Sequence, residues 1–383
     1  MNKTVQELSR TVRQPPSRSH QISAVTVESR AFALALFMML ASTPVAFFIF
    51  LGSRPRLSGD GSVGQLSSIF TALICAIVFA LSYIFSFRLP DSEWLRQTAL
   101  IRRVLDVAAL AFAHAAIAFM LAQAAFYIFQ NAFAGLTLDP FAASLFVGIS
   151  SAAGCYTVAL SGARITTYTL SNLLAVFLVT GALTAMITAE NTSWWQINFS
   201  VLGTSTNGLS AYAFNATLII SGLVITTLAS YMTRDLRRWS ELSGHSRTRA
   251  KAVQWTLVSL GLLLSGVGAV PVDLFQPLHN LLATGMIFAF MTLVIGMHFW
   301  LPDFPRSFFL TSYVLLSGVG LAVVLFWPLG YYNLTGMELA ATALIFGWLV
   351  LFIRNTAALV ADASAGRSPA DIVAGAALPE ATE

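Results

Sequence analysis

Ten apolar runs of about twenty residues each, separated by short polar segments, are the feature that most constrains this chain. At ~1.5 Å per residue, a helix of that length crosses the ~30 Å hydrocarbon core of a bilayer. Inside lipid the backbone must satisfy its own hydrogen bonds, so only helices and closed barrels span a membrane. The runs lack the two-residue alternation of membrane-barrel strands. The sequence therefore predicts an all-α, polytopic transmembrane helical bundle.

The composition agrees with this class of protein. Charged residues make up 10% of the chain and hydrophobic residues 57%, whereas soluble domains carry about 25% charged residues. The two cysteines show no spacing typical of zinc or haem sites, so we expect no metal and no cofactor. The modest basic excess indicates membrane orientation, so we expect no nucleic-acid partner. The predicted spans cover roughly 31–52, 67–87, 104–129, 141–162, 166–188, 209–232, 253–271, 279–300, 307–327 and 337–353.

The basic residues predict the orientation of the spans. Nineteen of the 21 lysines and arginines fall on one side of a ten-span arrangement, and only Arg54 and Arg56 fall on the other. Cytoplasmic segments carry an excess of basic residues, so we expect both termini to be cytoplasmic. The even number of spans is consistent with that placement.

The third predicted span combines small residues with two ionisable ones. Six alanines at alternating spacings of three and four form one stripe, at Ala108, Ala111, Ala115, Ala118, Ala122 and Ala125. Such stripes let helix backbones approach closely in lipid, so we expect this stripe to face another helix. His114 borders the stripe and Asp106 lies two turns nearer the cytoplasm. An ionisable group inside a membrane is a functional candidate by default. The alternative for His114 is a neutral side chain hydrogen-bonded to a neighbouring helix.

Polar residues concentrate in the segments predicted to face outward. Asp273, His279 and Ser200 could serve as orienter, base and nucleophile, although no GxSxG signature accompanies them. Asp273 and His279 could also cap and fix the short connection between the seventh and eighth spans. The candidates for binding are Asn198, Ser200, Asn215, Asp273 and His279. The alternative for Asn215 is a hydrogen bond between helices. We predict that His279 approaches Asn198, Ser200 or Asn215, and that this group is the binding site.

Four short motifs in the second half of the chain resemble a known family. They read Trp195-x-x-Asn198-Phe199-Ser200-x-Leu202-Gly203, then Phe214-Asn215 with Gly222, then Gly266-x-Gly268-x-x-Pro271, then His279-Asn280-x-x-Ala283. This order is similar to the bacterial domain-of-unknown-function family DUF-998, itself similar to the Frag/DRAM-like six-helix membrane proteins. The resemblance covers about residues 166–357. It implies a bacterial membrane module linked to lipid handling, with Asn198, Ser200, Asn215 and His279 as its residues of interest.

The domain organisation follows from the spans and the resemblance. We expect four regions: a disordered cytoplasmic tail, a four-helix membrane region, a six-helix DUF-998-like domain and a second disordered tail, at 1–30, 31–165, 166–357 and 358–383.

Three functions are compatible with this organisation. The leading one is a non-catalytic, lipid-associated module of a bacterial cytoplasmic membrane, whose outer polar face contacts lipid headgroups or another membrane protein. The second is a membrane-embedded lipid-modifying enzyme that uses the same face. The third is a secondary transporter built from two inverted five-helix repeats. The substrate or ligand is not specified by the sequence.

Overall fold

The computed structural model describes residues 24–88, 93–163, 165–204, 208–243 and 248–365. Ten of its helices are long and apolar enough to cross a membrane, which confirms the predicted ten-span helical bundle. They are α1 (Ala24–Phe50), α2 (Val63–Ser86), α3 (Leu100–Ala132), α4 (Pro140–Ala163), α5 (Thr167–Thr188), α6 (Gly208–Ser243), α7 (Thr248–Ala269), α8 (Gln276–Trp300), α9 (Arg306–Phe326) and α10 (Leu334–Ser364). A four-residue helix, Glu93–Arg96, precedes α3, and two 3-10 helices, Trp194–Gln196 and Phe199–Gly203, lie between α5 and α6.

Several helices are longer than the predicted spans. Helix α6 has 36 residues, or ~54 Å of rise, which exceeds the ~30 Å hydrocarbon core. Its last turns occupy much of the segment 233–252, which lies between two predicted spans. Helix α1 already begins at Ala24 and α10 continues to Ser364, which corrects both predicted tail boundaries. A hydropathy pattern registers where apolar residues stop, whereas the helix continues as long as its backbone bonds are satisfied. The rest of both predicted tails lies outside the described residues.

The connections gather at two ends of the bundle. The α1–α2 and α3–α4 connections meet in a bridge between Arg56 and Thr137. The α5–α6 and α9–α10 connections meet where Asn333 Nδ2 donates to the Trp195 carbonyl oxygen at 2.7 Å. We call the end that carries these four connections the polar-loop end, and the opposite end of the bundle the basic end. Among the described lysines and arginines, only Arg54 and Arg56 belong to the polar-loop end.

The helices pack in two sets. In the first set α1 lies against α4, α4 against α2, and α2 against α3. In the second, α6 lies between α5 and α7, α8 packs on α7, and α9 packs on α10, which also contacts α5 and α6. Helix α3 joins the sets through contacts with α5 and α6.

Small residues set the closest helix contacts. A Cβ added at Gly222 of α6 would lie 2.2 Å from the Gly261 carbonyl oxygen of α7, so these two backbones touch directly. The alanine stripe on α3 is less uniform. Ala111 is buried and the four alanines that follow it are half-buried, but Ala108 is exposed. The expected helix contact therefore begins one turn later than the stripe itself.

Candidate functional sites

The connection between α5 and α6 folds back over the polar-loop end. The Asn191 carboxamide oxygen accepts from the Ser193 N–H at 2.9 Å, which forms a tight local turn. Two 3-10 helices follow, and Asn198 occupies the cap position before the second. The Asn198 Oδ1 atom is buried and has no hydrogen-bond partner among the described residues. This predicted site residue therefore presents one free acceptor beneath the loop.

Two residues at the start of α10 fasten this connection, and we call them the loop clamp. Asn333 caps α10 by accepting from the Gly336 N–H at 2.9 Å, while its amide donates to Trp195. The carboxylate of Glu338 accepts from the Phe199 N–H at 2.5 Å. It also accepts from the backbone N–H and the hydroxyl of Ser200. Ser200, a candidate nucleophile, is thus held as a donor to a carboxylate.

Close contacts continue from the clamped loop into α6 and α7. Asn215 Nδ2 donates to the Gly203 carbonyl oxygen at 2.8 Å, and its side chain fills the space a Cβ at Gly203 would need. The backbone oxygen of Asn215 also packs closely against Gly268 of α7. A Cβ added at Gly268 would lie 2.7 Å from this oxygen. Asn215 therefore links the loop to the α6–α7 contact, although its side-chain hydrogen bond is to the loop and not to a neighbouring helix.

His279 stands at the far side of the same network. Its Nδ1 lies 2.7 Å from the Val270 carbonyl oxygen. A carbonyl cannot donate, so Nδ1 is the donor of this hydrogen bond. Nε2 is buried without a hydrogen-bond partner among the described residues, and the whole residue is 3% exposed. Val270 lies two residues after Gly268 in the chain. The His279–Val270 bond and the Gly268–Asn215 contact therefore link His279 to Asn215 through the end of α7.

The three residues of the catalytic hypothesis have separate surroundings. The Ser200 hydroxyl contacts Glu338, while neither imidazole nitrogen of His279 bonds to Ser200 or Asp273. Asp273 is exposed on the α7–α8 connection. Within the described ranges, no three histidine, cysteine, aspartate or glutamate side chains cluster as metal ligands would.

The basic end contains a second polar group, buried where α3 meets α6. Asp106 is 8% exposed, and its Oδ1 accepts from the Thr227 hydroxyl at 2.7 Å. Arg102, one turn earlier on α3, donates to the Ser230 hydroxyl on α6. Burying charges is costly unless partners compensate them, so this arrangement has a structural or functional purpose. It joins the two helix sets.

An aromatic and charged cluster extends this junction to α2 and α5. The Tyr83 and Tyr231 hydroxyls lie 2.9 Å apart. Trp94 packs edge-on against Tyr231 at 4.9 Å between ring centroids, and the Arg234 guanidinium lies 5.4 Å from the Trp94 ring. One turn after Tyr231 on α6, Asp235 accepts from the Thr167 hydroxyl at 2.5 Å. This hydrogen bond ties α6 to α5. We call these side chains together the basic-end junction: Tyr83, Trp94, Arg102, Asp106, Thr167, Thr227, Ser230, Tyr231, Arg234 and Asp235.

His114 forms hydrogen bonds at both ring nitrogens. Nδ1 lies 2.8 Å from the Leu110 carbonyl oxygen, and Nε2 lies 2.8 Å from the Ser161 hydroxyl on α4. The ring stacks on Phe79 at 4.1 Å between centroids. Nδ1 must donate to the carbonyl, and Nε2 shares a hydrogen bond with the Ser161 hydroxyl, which can donate or accept. This geometry corresponds to the interhelical alternative given for His114.

Sequence reasoning missed Glu338 and most of the basic-end junction. Glu338 carried a signal, because it is an acidic residue inside a predicted apolar span. Tyr83, Tyr231 and Asp235 gave no such signal, since their role depends on which helices become neighbours.

Comparison of the chain with known protein families, with curated proteins and with solved structures found no match in any of the three.

Proposed function

We propose that this integral membrane protein is a non-catalytic, lipid-associated module whose polar-loop end contacts lipid headgroups. Its ten apolar helices place the chain in a membrane. The cytoplasmic side of the basic end is proposed from the distribution of basic residues. Placement in a bacterial cytoplasmic membrane rests on the family resemblance. Membership of the DUF-998 family is part of the same proposal and rests on the motifs between Trp195 and Ala283. Membrane lipids are the proposed partners.

The observation that carries the proposal is the clamped aromatic surface of the polar-loop end. Asn333 and Glu338 hold the α5–α6 connection against α10, and Trp195 is left 52% exposed. Trp327 and Tyr331, on the α9–α10 connection, are 74% and 77% exposed at the same end. Tryptophan and tyrosine concentrate at headgroup depth because they combine an apolar ring with a polar group. A rigid loop that presents several of them supports headgroup contact.

The bonding of the candidate catalytic residues supports binding over catalysis. A serine nucleophile needs an adjacent base, and His279 does not reach Ser200 by a hydrogen bond. The Ser200 hydroxyl instead donates a hydrogen bond to the Glu338 carboxylate. In this arrangement Ser200 stabilises the loop that carries the exposed aromatic residues.

The proposal is tested by removing exposed tryptophans from one end at a time. Purified protein is titrated with phospholipid, and the rise in melting temperature is measured. We expect the double variant Trp195→Ser/Trp327→Ser to lose more than half of that rise. Trp255→Ser removes a similarly exposed tryptophan from α7 and is the matched control. Equal losses in the two proteins, or no loss in the double variant, would contradict headgroup contact at the polar-loop end.

The buried charges of the basic-end junction favour a second candidate function, ion-coupled secondary transport. Arg102 and Asp106 lie between α3 and α6, and intramembrane ionisable residues commonly mark ion pathways. Proteoliposomes loaded with a pH-sensitive dye and given an imposed pH gradient test this idea. Transport predicts dissipation faster than in empty liposomes and its loss in Asp106→Asn. Rates equal to those of empty liposomes would count against it.

A further inference from the structure

A shallow, open groove lies between α5 and α10 at the basic end. It has a volume of about 470 Å³ and is lined by Tyr168, Leu351, Arg354, Asn355 and Ala358. None of these residues is acidic. The groove is a separate feature, because neither the clamped aromatic surface of the polar-loop end nor the basic-end junction includes these residues.

The groove lies at a depth suited to a lipid phosphate. Arg354 follows Leu334 by twenty residues of unbroken helix, or ~30 Å, the thickness of the hydrocarbon core. If α10 begins at one boundary of that core, Arg354 therefore reaches the other. Tyr168 is the second residue of α5 and borders the same boundary. The lining thus joins a cation and an aromatic ring at headgroup level.

The side chains offer complementary chemistry for an anionic lipid. The Arg354 guanidinium lies 5.6 Å from the Tyr168 ring centroid, which orients it while leaving it exposed. Within the described residues Arg354 makes no ion pair. A guanidinium fork matches two phosphate oxygens, and the cytoplasmic leaflet carries the anionic lipids. Leu351 is exposed one turn nearer the membrane centre, where an acyl chain would run.

We propose that this groove binds the phosphate of an anionic phospholipid, with Arg354 as the principal contact and Leu351 along the acyl chain. The inference extends the proposed lipid association to a second site and a lipid class. It relies on the proposed membrane orientation and is independent of the aromatic surface at the polar-loop end.

Native mass spectrometry of the full chain in detergent, titrated with phosphatidylglycerol, tests the site. We expect Arg354→Gln to weaken the tightest phosphatidylglycerol binding about fivefold, the factor for removing one basic side chain from an anionic surface. Arg354→Lys keeps the charge but loses the planar fork, so its loss should be smaller. Tyr168→Leu should weaken binding less than Arg354→Gln. Arg306→Gln, an equal charge change at another exposed basic-end arginine, should bind like the parent protein.

Three results would overturn the proposal. They are unchanged binding by Arg354→Gln, an equal loss in Arg306→Gln, and competition by inorganic phosphate as strong as that by the lipid. Melting temperatures close to the parent value would show that the exposed substitutions leave the fold intact. The variant Trp195→Ser/Trp327→Ser should retain phosphatidylglycerol in this assay, so failure of one lipid site is distinguishable from failure of the other.

Discussion

The two ends of the bundle are held together by different chemistry. At the polar-loop end, polar side chains bond mainly to backbone groups, as Asn333 does to Trp195, Asn215 to Gly203 and His279 to Val270. The carboxylates of Glu338 and Asp139 also accept from backbone N–H groups, and Glu338 accepts from the Ser200 hydroxyl as well. At the basic end, charged side chains and aromatic rings join one helix to another.

This difference indicates what each end organises. Side chain-to-backbone bonds fix the course of an irregular loop, because they satisfy donors and acceptors that no helix ladder uses. Side chain-to-side chain bonds between helices fix which helices are neighbours. The polar-loop end is thus built to present a surface, and the basic end is built to hold the four-helix and six-helix sets in contact.

The largest effect is expected at the basic end. Asp106→Ala removes the buried acceptor of the Thr227 hydroxyl and the carboxylate that lies near half-buried Arg102. We expect the free energy of unfolding to fall by about 2–4 kcal/mol in a lipid-containing micelle. Asp60→Ala, at an exposed position, should change it by less than about 0.5 kcal/mol. Equal losses of unfolding free energy in Asp106→Ala and Asp60→Ala would show that the buried carboxylate contributes no more to stability than the exposed one.

Glu338→Ala should come next and should act locally. Loss of a charged acceptor costs about 1.5–3 kcal/mol. The amide hydrogens of Phe199 and Ser200 should therefore exchange at least about tenfold faster, since 1.4 kcal/mol is a factor of ten. Asn333→Ala should accelerate exchange around Trp195 instead. Unchanged protection at Phe199 in Glu338→Ala would show that the clamp does not hold the loop.

The tyrosine pair offers a smaller and sharper test. Tyr83→Phe and Tyr231→Phe should each lower the free energy of unfolding by about 1 kcal/mol, because each breaks one buried hydrogen bond. The double variant should lose little more than either single variant, since both remove the same bond. Additive losses would mean that the hydroxyls act through different partners.

The smallest effect separates two replacements of His279. Asparagine places its amide where Nδ1 now donates to Val270, whereas glutamine places its amide near the Nε2 position. We expect His279→Asn to retain stability and His279→Gln to lose about 1 kcal/mol, the value of one hydrogen bond. The reverse order would show that an Nε2 partner, such as a bound ligand or water, matters more than the Val270 bond.

The sequence predicts the fold better than it predicts either end. Ten apolar runs and nineteen basic residues on one side define the spans and the two ends. Asp106 was visible as an ionisable residue in a span, but Thr227 was not, because threonines are common in membrane helices and its partner lies on another helix. The course of the clamped loop depends on Glu338, which meets Phe199 across 139 positions of sequence. Contacts of that kind follow from helix packing and leave no local pattern.

The depth of the polar-loop end in a bilayer tests the central proposal most directly. A spin label at a cysteine replacing Trp195, Trp327 or Tyr331 in turn reports its collisions with lipid-soluble oxygen and with a water-soluble nickel chelate. Headgroup contact predicts intermediate access to both reagents at all three positions, and a label at the more apolar position Phe288 on α8 should be far more accessible to oxygen. Labels at all three positions that collide mainly with the nickel chelate would place this surface in bulk water, and that result would contradict the lipid-associated function.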